Sequence, residues 1–84
     1  MTRLKTILKN AELLEVKEVK SKKGNNYQVL VVRDEESREI NLYDPNILNL
    51  DINKFYDFEL EIIISQYSNI KVLNVHEVKK GIFK

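Results

Sequence analysis

The sequence is short of the residue types on which many active sites depend. Its 84 residues contain no cysteine, one histidine, one proline and two glycines. The lack of cysteine excludes disulfide scaffolds, thiol nucleophiles and cysteine-based zinc sites. A lone imidazole, His76, cannot form a His-rich metal site or a nucleophile–base pair with a thiol, and no glycine-rich phosphate loop is present. We therefore expect a binding domain rather than an enzyme, with no catalytic residue, metal or cofactor.

The chain also lacks a long hydrophobic run. No stretch approaches the eighteen apolar residues of a membrane span, and residues 1–10 lack the apolar stretch of a secretory leader. We expect an intracellular protein with no membrane partner. The composition, 43% hydrophobic and 32% charged, suits a single folded domain over residues 1–84. A domain of this size buries only about 60–65% of its surface, so we also expect a homodimer.

The net charge of +1 conceals an uneven distribution. Residues 1–23 carry seven cations and three acids, residues 24–61 carry three cations and nine acids, and residues 62–84 carry four cations and one acid. If the two ends meet in the fold, a basic face suited to a polyanion will oppose an acidic one. A well-mixed solvated surface is the other interpretation.

The clearest secondary-structure signal is a β-hairpin. Residues 27–33 (YQVLVVR) and 38–43 (REINLY) are extended runs on either side of the acidic turn DEES. A four-residue loop predicts that Arg33 pairs with Arg38, and this register assigns alternate residues of each strand to a core face and an outer face. The predicted core residues are Val29, Val31, Ile40 and Leu42, and the predicted outer residues are Gln28, Leu30, Val32, Glu39, Asn41 and Tyr43.

Three further strands are indicated by alternating apolar residues. They cover residues 11–20, 56–65 and 70–78, and the first and last change phase, which predicts a bulge or sharp bend. Residues 20–26 and 66–69 are predicted turns. Residues 1–10 fit either a short helix or an added edge strand. In residues 44–55, Asp44 before Pro45 predicts a short helical turn.

This order of elements favours an all-β OB-fold. The OB-fold is a five-stranded, partly open barrel, and here the short helical turn would lie between strands 3 and 4. An SH3-like barrel is the structural rival, but it usually places its helical turn before the last strand. We therefore prefer the OB-fold over residues 1–84.

The binding surface of an OB-fold is the face of strands 2 and 3 with the two adjoining loops. In this sequence it combines lysines, which neutralise phosphates, with tyrosines, which stack on bases, and with side-chain amides. The competing interpretations are that the lysines are merely solvated, that Tyr27 caps the core, and that the acids of residues 57–61 mark a solvent face. The candidate nucleic-acid-binding residues are Lys20, Lys22, Lys23, Asn25, Tyr27, Gln28, Asn41, Tyr43, Tyr67 and Lys71.

The run KSKKGNNY at residues 20–27, followed by QVLVV, resembles the first hairpin of small OB-fold single-stranded DNA-binding proteins. These proteins occur in bacteriophages and mobile elements and include the dimeric gene V type. The resemblance implies that the protein coats single-stranded DNA largely without sequence preference, and RNA is a possible ligand as well. It also implies a role in phage or mobile-element replication in the bacterial cytoplasm. It also implies that Lys22, Lys23 and Tyr27 lie along the DNA path. The alternative is an OB-like or SH3-like protein-interaction module that uses its acidic strand face.

Overall fold

A computed structural model describes residues 2–66 and 69–78, which form an all-β structure. Its five strands belong to one sheet, and their order β1-β2-β3-β5-β4 closes on itself in a barrel-like ring. The strands are β1 (Thr2–Lys20), β2 (Asn26–Arg33), β3 (Glu39–Asp44), β4 (Phe55–Ile64) and β5 (Asn69–Val78).

β1 closes the ring because it pairs with two different strands along its length. Its first part pairs with β4 and its second part with β2, and Glu12 has a partner in both. Two irregularities bend it, one between Leu8 and Ala11 and one between Leu13 and Glu15. Asn10, in the first, has a φ of 57°, a left-handed conformation that asparagine tolerates better than most residues. A bend in β1 is confirmed, although both irregularities precede the phase change between Val16 and Val19 from which it was predicted, and residues 2–10 are strand rather than helix.

The β2–β3 hairpin differs from the predicted register by one residue. Arg33 pairs with Glu39 rather than Arg38, because Arg38 belongs to the turn. There the backbone N–H of Asp34 donates to the Arg38 carbonyl at 2.9 Å, and Ser37 adopts a φ of 67°. A slip of one residue exchanges the two faces of a strand. Leu30 and Val32 of β2 are therefore fully buried, and Val29 faces outward.

The interior of the ring is filled by side chains from all five strands. Phe58 is the largest of the fully buried residues, and Tyr56 lies beside it with ring centroids 5.9 Å apart. Leu42 and Ile40 point inward as predicted, since the register slip changes only the facing of β2. The buried hydrophobic cluster is Ala11, Leu13, Leu30, Val32, Leu42, Tyr56, Phe58, Leu60 and Val72.

The predicted helical turn between β3 and β4 was wrong. The described residues 45–54 form turns and irregular backbone, because the side chain of Asp44 takes the place of a helical hydrogen-bond ladder. Its carboxylate accepts backbone N–H groups from Asn46 at 3.2 Å and Leu48 at 2.8 Å. It also accepts the Nε2 amide of Gln28 at 2.8 Å, so a fully buried Asp44 organises the whole connection.

β5 completes the ring through two contacts. It pairs along its length with β4, with Leu73 as an extra residue where the sequence changes phase, so the predicted irregularity there is confirmed. It meets β3 in a short parallel contact at Tyr43 and Lys71. None of the described residues belongs to a helix that is long and apolar enough to span a membrane.

Candidate nucleic-acid interface

The outward face of β2 and β3 carries an aromatic pair. Tyr27 and Tyr43 are half-buried, and their ring centroids lie 5.0 Å apart at an interplanar angle of 67°. They come together because Tyr43 pairs with Val29, two residues after Tyr27 on the same face of β2. The corrected register thus places Tyr27 outside the core, with a tyrosine neighbour that the sequence alone did not indicate.

A shallow pocket of about 410 Å³ adjoins this pair. Both tyrosines line it, and Val29 provides apolar surface. Asn41 of β3 and Asn69 of β5 are exposed and add two amide groups that both donate and accept hydrogen bonds. The pocket can therefore receive a flat apolar ring whose edge carries polar atoms.

Lysines flank the aromatic pair in the crosswise rows of the sheet. Val29 pairs with Lys17 on one side and Tyr43 on the other, and Tyr43 contacts Lys71 in β5. A single row therefore runs Lys17, Val29, Tyr43, Lys71. Lys71 was predicted from sequence. Lys17 was missed, although the correct register of β2 would have placed it beside Val29.

The remaining lysines belong to the connection between β1 and β2. Lys20 ends β1 and pairs with Asn26, while Lys22 and Lys23 are exposed at the tip of the turn. The turn is closed by the Ser21 N–H, which donates to the Asn25 carbonyl at 2.9 Å, and by the Asn25 N–H, which donates to Ser21 Oγ at 3.1 Å. Gly24 supplies the positive φ of 84° that the turn requires.

The three arginines of the described residues form ion pairs with carboxylates, whereas several of the lysines do not. Arg3 pairs with Glu61, Arg33 with Glu12, and Arg38 with Asp34 and Glu36. The hydrogen bond to Glu12 raises the pKa of Arg33 above its ordinary value. In contrast, Lys17, Lys20, Lys22, Lys23 and Lys71 form no ion pair within the described part of the chain. The ammonium groups of these lysines are therefore not held by a carboxylate of the described residues.

One predicted residue does not join this surface, and another cannot be placed relative to it. Gln28 lies on the inner face, 3% exposed, and its amide nitrogen donates to Asp44 and to the Leu48 carbonyl at 2.7 Å. The amide nitrogen of Gln28 therefore already donates its hydrogen bonds inside the ring, because the one-residue register difference turns this side chain inward. Tyr67 lies outside the described residues.

The acids of β4 are engaged within the molecule. Asp57 accepts the backbone N–H of Asn10 at 2.8 Å, and Glu61 is 8% exposed and pairs with Arg3 at 3.2 Å. Glu59 lies 3.2 Å from the imidazole of His76. These carboxylates mainly join β4 to its neighbours, so the predicted acidic face is a set of cross-strand contacts.

No family model matches the chain, and no curated protein or solved structure is similar to it. The described residues contain no group of three metal-binding side chains placed to hold an ion.

Proposed function

We propose that this chain binds single-stranded DNA, largely without sequence preference, on the outward face of β2 and β3. The strand order in the ring, with its parallel β3–β5 neighbours and its β1–β4 closure, supports an OB-fold, a five-stranded Greek-key barrel that binds ligands on this face. The observation that carries the proposal is the Tyr27–Tyr43 pair, whose neighbouring lysines form no ion pair among the described residues.

The chemistry of the surface fits an unpaired strand. In an edge-to-face pair, one ring turns its edge to its neighbour, so the contact between the two rings does not cover a face of that ring. A base can stack on such a face only when it is not held in a duplex, and stacking is tolerant of sequence because every base has a π-face. Asn41 and Asn69 can hydrogen-bond to base edges, while Lys17 and Lys71 neutralise phosphates on either side.

Coating of single strands during phage or mobile-element replication is the biological role we propose, supported by the lysine-rich first hairpin. RNA would meet the same stacking and phosphate contacts and belongs in the same test. A protein-interaction module that uses the acids of β4 has less support, because Asp57, Glu59 and Glu61 already contact other strands.

The decisive experiment is a fluorescence titration of the chain onto labelled oligo-dT. A duplex and an oligo-U strand of equal length are the comparisons, each at low and moderate salt. We expect saturable binding to the single strands that weakens with salt, and weaker binding to the duplex. Absence of binding to oligo-dT at low salt, or equal affinity for the duplex, would refute the proposal.

A further inference from the structure

Among the described residues, the first half of β1 has a strand partner on only one of its edges. Residues 2–12 pair with β4, whereas pairing with β2 begins at Glu12. Within the described part of the chain no strand covers the other edge of residues 2–10. The loop of residues 34–38 lies at its far end, where Asn10 Nδ2 donates to Glu35 at 3.1 Å. Unpaired N–H and C=O groups along such an edge can accept a further strand.

The side chains of this edge combine positive charge with exposed apolar surface. Residues 2–10 contain Arg3, Lys5 and Lys9 and no acid. Lys5 and Lys9 are exposed and form no ion pair among the described residues, and Arg3 is more than half exposed although it pairs with Glu61. Leu4 is 51% and Ile7 57% exposed. Lysine alone often protects an edge strand, but here it alternates with large apolar side chains.

A second copy of the chain is a poor occupant for this edge. To continue the sheet with its faces preserved, two copies of β1 must pair about a twofold axis through one residue. A twofold axis through residue 3 or 5 places the cation at that position directly opposite the same cation of the second copy. An axis through position 4, 6 or 7 sets two of Arg3, Lys5 and Lys9 opposite each other. An axis through position 8 brings the second copy against the loop of residues 34–38, which lies beside Leu8. Like charges placed directly opposite destabilise a strand pair.

We propose that the free edge of β1 binds an extended acidic segment of a partner protein as an additional strand. Acidic side chains would lie opposite Arg3 and Lys5. On the other face, an apolar side chain opposite Leu4 would extend the row that Leu4 forms with Ile62 and Ile70. The recognised segment therefore alternates Asp or Glu with an aliphatic residue. This site is separate from the proposed DNA surface.

The test uses the whole chain and a fluorescein-labelled nine-residue peptide that alternates Glu and Val. We expect saturable binding by anisotropy and slower amide hydrogen exchange in residues 2–8 when the peptide is present. A peptide of the same composition, with its glutamates in one block, carries the same charge but cannot alternate across a strand. We expect it to bind at least about fivefold more weakly, as the loss of cross-strand pairs implies.

Two charge reversals separate this site from the DNA surface. Lys5→Glu is expected to weaken binding of the alternating peptide by about fivefold or more, since an attractive cross-strand pair becomes repulsive. The matched control Lys22→Glu should leave peptide affinity unchanged and weaken oligo-dT binding. Lack of peptide binding, equal binding of the block peptide, or unchanged exchange in residues 2–8 would overturn the proposal. Concentration-dependent protection of residues 2–8 without peptide would also overturn it, because a second copy would then occupy the edge.

Discussion

At the scale of single residues, the aromatic ring of Tyr43 gives the most direct test of the proposed DNA binding. We expect Tyr43→Ala to lower the affinity for oligo-dT by about 5- to 150-fold, since one stacked base contributes about 1–3 kcal/mol. Tyr43→Phe keeps the ring and should lose much less. The affinities are measured by fluorescence titration, with circular dichroism to confirm folding. Equal affinities for wild type and a folded Tyr43→Ala protein would exclude stacking on this ring.

The buried carboxylate of Asp44 controls stability rather than binding. It is fully buried and accepts hydrogen bonds from Gln28 Nε2 and two backbone N–H groups. Asp44→Ala leaves the two backbone N–H groups without their acceptor and leaves Gln28 Nε2 with only the Leu48 carbonyl, so we expect the free energy of unfolding to fall by about 3 kcal/mol. The control Asp51→Ala removes an exposed ion pair with Lys54 and should cost less than about 1 kcal/mol. Urea denaturation measures both, and similar losses would contradict this account.

At the scale of elements, the β2–β3 turn should give stability a dependence on pH. Hydrogen bonds from the backbone N–H groups of Arg38 and Glu36, with the Arg38 guanidinium, lower the pKa of Asp34 below its ordinary value. A depressed carboxyl pKa stabilises the fold above the unfolded pKa, near 3.8, and this contribution is lost as pH falls through the folded value.

Asp34→Asn removes this titration while keeping an oxygen that can accept the same N–H groups. We expect the wild-type protein to be the more stable one near neutral pH, and the difference in urea midpoint to shrink below about pH 3.8, the unfolded carboxyl value. Glu39→Gln, at an exposed strand position, is the comparison for general charge effects. A difference that stays constant between pH 7 and pH 2 would show that Asp34 does not contribute through its charge.

The same turn explains how far the sequence could predict the site. Alternation correctly identified β2 and β3 and the inward facing of Ile40 and Leu42. It could not decide whether Arg38 belonged to the strand or to the turn, because that depends on hydrogen bonds to Asp34. One residue of difference moved Gln28 into the interior and Val29 onto the surface. Tyr43 was correctly predicted to face outward because β3 itself did not change its facing.

At the scale of the whole molecule, strand number and bulges were predictable but the closure of the ring was not. The phase change in the sequence marked the irregularity of β5, whereas the irregularities of β1 precede the phase change between Val16 and Val19. Whether residues 2–10 formed a helix or a strand depended on β4, fifty residues away, whose Phe58 pairs with Leu8. The helical turn was predicted from Asp44 and Pro45, but the buried amide of Gln28 directs that carboxylate into a different network. Both features depend on contacts between distant segments.

The distribution of paired and unpaired cations among the described residues predicts the salt dependence of the proposed DNA binding. Each phosphate neutralised on a single strand contributes about −0.7 to the slope of log K against log salt concentration. Engagement of Lys17, Lys20, Lys22, Lys23 and Lys71 together would give a slope of about −3.5. We expect Lys22→Ala to reduce the magnitude of the slope by about 0.7.

The matched control is Lys54→Ala, because Lys54 pairs with Asp51 at 3.2 Å and Glu77 at 3.6 Å, contacts that raise its pKa. That variant should leave the slope unchanged. Equal changes in slope for the two variants would mean that oligonucleotide affinity depends only on the net charge of the protein. The oligonucleotide would then make no specific contact with the turn of residues 21–25.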